Sequence, residues 1–90
     1  MSGRSWEVLV APPARRQIDR LPISAAAAVL ETLDAIASNP RRLGKALRFE
    51  LEGYLSARRG PYRIIYRVDD ATCSITVVAV AHRADAYRSR

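Results

Sequence analysis

The residues of this 90-residue chain with chemistry to offer are an excess of arginine, four tyrosines and one histidine. Fifteen residues are basic, all of them arginine except Lys45, and nine are acidic, which leaves a net charge of +6. Most catalytic constellations are missing: there is no Gly-rich phosphate loop, no Cys/His spacing for a metal and no Ser/His/Asp set. His82 is the only histidine, and the only cysteine, Cys73, sits beside a turn. These gaps argue against metal-dependent and nucleotide-dependent enzymes, so no cofactor and no metal is expected. Arg, Tyr and His together can nevertheless cleave RNA. The ribose 2′-hydroxyl attacks the neighbouring phosphorus, so a protein need only hold the phosphate in line, neutralise its growing charge and move two protons. Arginine forks suit the first two tasks, and Tyr and His side chains suit the third.

The basic residues are not spread evenly. Arg41, Arg42, Lys45, Arg48, Arg58, Arg59, Arg63 and Arg67 fall in one stretch opposed only by Glu50 and Glu52, and the remainder of the chain is neutral. Such a block reads as a track for phosphates, with Arg41, Arg42, Lys45, Arg48, Arg59 and Arg67 as RNA-binding candidates. The bland readings are that Arg41, Arg42, Lys45 and Arg48 are only a solvated charged face and that Arg63 and Arg67 pair with acidic residues such as Glu50 and Glu52. GC-rich codon usage also raises arginine content without any functional reason.

The elements that must position these groups follow from periodicity. Trp6, Val8 and Val10 alternate with Glu7 and Leu9 as a first strand, closed by Pro12-Pro13. Ala14, Ile18 and Leu21 mark a short helix that Pro22 ends. Ser24 is the expected N-cap of a second helix, with Ala26, Val29, Leu30, Leu33, Ile36 and Ala37 as its apolar stripe, and Asn39-Pro40 stops it. The stretch from Arg41 to Gly53 has no clean period and reads as a connector or a short irregular strand. Tyr54 to Arg59, Tyr62 to Asp69 and Ser74 to His82 are three strands joined by tight turns, hence antiparallel, and the last is apolar in both registers, hence central. The expected architecture is α+β: one small domain over residues 1–90, an antiparallel sheet with a helical hairpin on one face, in the order β-α-α-β-β-β. Ninety residues supply one core and no more. The absence of a signal-like N-terminus or a long apolar run predicts a cytoplasmic protein with no membrane partner.

In that architecture Arg63 and Arg67 share a strand face, Arg58 and Arg59 point to opposite faces, and the last strand delivers His82 and Arg83 at its end, with Tyr87 four residues on. The run Ser56-Ala57-Arg58-Arg59-Gly60-Pro61-Tyr62-Arg63-Ile64-Ile65-Tyr66 and the ending His82-Arg83-Ala84-Asp85-Ala86-Tyr87 resemble the RelE/ParE toxins of bacterial toxin–antitoxin pairs. The preceding strand and helices fit the same family, so the resemblance covers nearly the whole chain. It implies a RelE-like fold and a metal-independent, ribosome-dependent mRNA endonuclease. It also implies a cognate acidic antitoxin as partner, with operator DNA bound only through the antitoxin complex. Carried over by position, Arg63 and Arg83 contact and stabilise the scissile phosphate, Arg58 is a recurrent basic position, and Tyr87 takes part in proton transfer or stacks on the mRNA. The chain departs from the family where two lysines usually precede the hairpin turn, since it has Tyr54 and Ser56 there. His82 is the group expected to take over the proton traffic, although a histidine at a strand end is as readily structural. Two other readings stay open: a ParE-like inhibitor of DNA gyrase, and a weakened toxin that acts through its repressor complex. Tyr62 and Tyr66 read as residues that pack on the sheet.

Overall fold

The computed structural model describes residues 6–47 and 53–82. Arg48, Arg83 and Tyr87, together with Glu50 and Glu52, lie outside the described residues. The elements run β1 (Glu7–Val10), α1 (Pro12–Asp19), α2 (Ile23–Ser38), α3 (Pro40–Leu43), β2 (Lys45–Ala46), β3 (Tyr54–Arg59), β4 (Tyr62–Asp69) and β5 (Ser74–His82). They form one five-stranded sheet in the order β1-β5-β4-β3-β2. The three expected C-terminal strands are present with the expected bounds and antiparallel pairing. β1 lies parallel to β5 at the sheet edge, which leaves β5 central.

The helices take one face of the sheet because every buried hydrophobic strand residue points there. Ala57, Ile64 and Val80 line up across three strands, as do Leu55, Tyr66 and Val77, and these meet Ala14 and Ile18 of α1 and Val29, Leu33 and Ile36 of α2 in one core. Each fully buried Val, Leu or Ile contributes about 1.5–3 kcal/mol. α2 begins earlier than its polar residues suggest. Its N-cap is Pro22, not Ser24, because the Pro22 carbonyl already accepts from the Ala26 N–H at 2.9 Å and no side chain caps the end. Asn39-Pro40 ends α2 as expected, but Pro40 then opens the single turn α3, since a proline at a first helical position gives up no hydrogen bond. No helix among the described residues is long and apolar enough to cross a membrane.

The apolar double register of β5 has a specific cause. Ile65 pairs with Ala79 and Tyr66 with Val77, so Val78 is an extra, unopposed residue and the alternation changes phase around it. The bulge keeps Val80 in the core although Ile75 and Val77 are odd-numbered core positions. Gln17 of α1 meets its consequence, with Oε1 accepting the Val80 N–H at 2.7 Å.

Two turns set the strand registers. Gly60 (φ 56°) supplies the left-handed first position of the two-residue hairpin turn between Arg59 and Tyr62. At the β4–β5 turn the Asp69 carboxylate accepts from the Ala71 and Thr72 N–H groups, and Cys73 then adopts φ 55°. A side chain in that region costs about 1–2 kcal/mol. Cys73→Gly is therefore expected to stabilise the fold by about 1 kcal/mol, read as a higher midpoint in urea unfolding at unchanged slope.

Candidate functional site

The face of the sheet away from the helices carries the cations. Strand alternation puts Ser56 and Arg58 of β3 there, and pairing places Arg58 directly opposite Arg63 and Ser56 opposite Ile65. β2 adds Lys45, which pairs with Ser56 and so is a diagonal neighbour of Arg58, at about 7–8 Å between backbones. Beside them is a cavity of about 530 Å³ lined by Leu43, Lys45, Ala46, Leu47, Ser56, Arg58 and Arg63. Three of these described lining residues are cationic and none is acidic. Register places these two guanidinium groups, Arg58 and Arg63, directly across two strands on one face, an arrangement suited to binding an anion in the cavity. Leu43, Ala46 and Leu47 form an apolar wall on one side of it.

The wall is held from behind by a residue whose obvious role is packing. Tyr66 is fully buried on the helix face, and its hydroxyl donates to the Pro40 carbonyl at 2.5 Å. Gly44 follows α3 in an ordinary extended conformation, so its value is space: a Cβ there would overlap the Tyr66 hydroxyl. The contact fixes where α3 ends and β2 begins, and that segment supplies four of the seven described lining residues. Burial pushes the Tyr66 phenol above its ordinary value of 10.0, while the nearby Arg41 guanidinium pulls the other way.

The expected site residues divide between the two faces. Arg58 and Arg63 come together, with Lys45 beside them. Arg67 is exposed on the same face, opposite Tyr54, but does not line the cavity. Arg42 is exposed on α3. Arg41 is engaged elsewhere, donating to both carboxylate oxygens of Asp70 at 3.1 and 3.0 Å. Two expected site residues stand on the helix side of the sheet. Arg59 points to the helix side, where it pairs with Glu31 at 2.8 Å and donates to Thr32 at 3.4 Å, so it is a tie between β3 and α2 and not part of the cation group. His82 lies directly opposite Tyr62, in the phase of Ile64 and Val80, and its ring meets the Tyr62 ring edge-on at 5.3 Å. It stands on the opposite face from Arg58 and Arg63 and is not among the described residues that line the cavity. Arg48, Arg83 and Tyr87 lie outside the described residues. The apolar wall and the Tyr66 anchor were not legible beforehand: a two-residue strand has no period, and a buried hydroxyl looks like any other core tyrosine. The one available signal was Gly44, a glycine with no turn to make.

This division is testable in binding. Arg59→Ala is expected to leave the salt dependence of RNA affinity unchanged and to cost at most about 1 kcal/mol of stability, because exposed ion pairs contribute about 0–1 kcal/mol. A weaker salt dependence in that variant would place Arg59 on the RNA after all.

A family model described as the ParE toxin of type II toxin–antitoxin systems matches residues 8–87. Among curated proteins, Toxin RelG of Mycobacterium tuberculosis is 47% identical over 76 residues, covering 83% of this chain and 87% of the relative. Toxin RelE of the same organism is 42% identical over 84 residues, covering 92% and 87%. A crystal structure of a RelBE toxin–antitoxin complex from Mycobacterium tuberculosis superposes with a TM-score of 0.84 at 43% identity, over 90% of this chain and 94% of that one. The Escherichia coli RelBE complex superposes at 0.78 with 17% identity, over 96% and 100%, a likeness of fold alone. With eight-tenths or more of the chain matched in sequence and the same α+β sheet and helices in the solved relatives, the chain belongs to the ParE toxin family of type II toxin–antitoxin systems, as a RelE-like toxin.

Proposed function

We propose that this toxin is a metal-independent endoribonuclease that cuts mRNA on the ribosome and so arrests translation. The observation that carries the reading is the cavity in which Lys45, Arg58 and Arg63 converge with no acidic residue among its described lining. A phosphodiester is an anion that such a group of cations is suited to bind. Two guanidinium forks on adjacent strands orient the scissile phosphate for in-line attack and neutralise the charge that builds on its oxygens. Arg83 is assigned to the same phosphate and Tyr87 to proton transfer or stacking, from their place in the family's closing motif. Arg42, Arg48 and Arg67 extend the contact to neighbouring phosphates. The solved toxin–antitoxin complex of a 43% identical relative supports a cognate antitoxin as partner; in this reading the antitoxin is acidic and neutralises the toxin in the cytoplasm, and operator DNA is bound only through that complex.

The test is inducible expression in bacteria with mapping of transcript ends. Growth arrest with mRNA cut within codons is expected. Intact mRNA accompanied by DNA damage and filamentous cells would replace this reading with gyrase inhibition.

A further inference from the structure

We infer that Lys45 is the proton donor of the site, a catalytic residue that protonates the leaving oxygen as the RNA is cut; the inference rests on the ribonuclease reading above and deepens it. Of the three cations among the described lining residues, two are arginines and one is lysine, the only lysine in the chain. A guanidinium does not surrender its proton in a protein, so Arg58 and Arg63 can bind and neutralise but cannot serve as acids. An ammonium group can. Ser56, which pairs with Lys45, offers only a hydroxyl, and His82 is on the far face. Among the described lining residues, Lys45 alone carries both a positive charge and a proton to give.

Its placement is built, not incidental. Lys45 stands on a strand of two residues, too short to hold itself, and the chain around it is secured at several points. The Tyr66 hydroxyl grips the Pro40 carbonyl, Gly44 passes over that hydroxyl without a side chain, and the Leu47 N–H donates to the Tyr54 carbonyl at 2.9 Å. The diagonal relation to Arg58 puts a long lysine side chain within reach of a phosphate held between Arg58 and Arg63. In the step itself the 2′-oxygen forms a bond to phosphorus and its proton passes to water, while the bond from phosphorus to the 5′-oxygen breaks. Lys45 delivers its proton to that oxygen and is reprotonated by solvent. The products are a 2′,3′-cyclic phosphate and a 5′-hydroxyl, with no redox change and no further reactant.

The experiment compares wild type, Lys45→Arg and Lys45→Ala on ribosomes programmed with a normal mRNA and with one that carries a 5′-bridging sulfur at the cleaved bond. Sulfur leaves without protonation, so a lost acid no longer matters there. On the normal mRNA both variants are expected to cleave about 10²-fold more slowly or worse, as for loss of a general acid. Lys45→Arg should keep an essentially unchanged KM, and with the sulfur-bridged mRNA it should return to within about tenfold of wild type. Equal defects on the two substrates, or full activity of Lys45→Arg on the normal one, would overturn the role of Lys45 while leaving the ribonuclease reading intact. If wild type cuts neither mRNA, that reading falls and the role of Lys45 falls with it. Tyr66→Phe serves as the positioning control: it should lower kcat on the normal mRNA and, like Lys45→Arg, regain activity on the sulfur-bridged one, a pattern that simple loss of fold does not produce.

Discussion

Arg63→Ala should abolish growth arrest on induction and lower mRNA cleavage by about 10²–10³-fold, the usual loss when one preorganised donor to a developing oxyanion is removed. The expectation follows from register. Arg63 is directly opposite Arg58 on the cavity face, so removing either leaves a single fork where two are needed to fix the phosphate in orientation as well as in charge. Arg63→Lys should recover only part of the loss, because an ammonium restores the charge but not the planar pair of donors. A variant that loses activity while its urea midpoint is kept identifies Arg63 as a residue of the site. A variant that loses activity only in proportion to lost folded protein would show instead that Arg63 is structural.

Tyr66 carries the second large effect, on the fold itself. Tyr66→Phe keeps the packed ring but leaves the buried Pro40 carbonyl without its donor, at a cost of about 1–3 kcal/mol. Tyr66→Ala also opens a cavity in the centre of the core and is expected to cost about 3–5 kcal/mol. Since small domains hold about 5–15 kcal/mol in total, the alanine variant should be close to unfolded at ambient temperature. Gly44→Ala attacks the same contact from the other side by forcing a methyl group onto the hydroxyl, and should be destabilising although glycine itself is a poor strand residue. The anchor also predicts an alkaline limb. Burial raises the Tyr66 phenol above 10.0, so the folded state holds that proton more tightly than the unfolded chain does. Its contribution is complete below the ordinary value of 10.0 and is lost as pH rises through the elevated folded value. Urea unfolding of wild type should show this loss above pH 10, and Tyr66→Phe should lack that part of it.

The local elements were legible because their signals are local. Tyr, Ile and Val runs bounded by Gly60-Pro61 and by Asp69 through Cys73 define β3, β4 and β5, and the Val29, Leu33 and Ile36 spacing defines the buried face of α2. That Arg58 and Arg59 point to opposite sides was equally legible, since it follows from strand geometry alone. The first turn of α2 was misplaced because serine propensity competes weakly with a proline whose carbonyl already suits the helix start. α3 and β2 were not resolved because four and two residues carry no periodicity.

What the amino-acid order determined by itself is the alternation of each strand, the amphipathic helices that cover one sheet face, and a cationic stretch left for the other. Which cations meet was decided by pairing between strands distant in sequence. The register of β2 on β3 brought Lys45 to Arg58 and Arg63, the bulge at Val78 changed the phase in which β5 reaches His82, and Glu31 of α2 drew Arg59 away. The physical reason is that a side chain's face is set by its own backbone, whereas its neighbours are set by hydrogen-bond register and core packing, and both of these come into being only when the sheet closes.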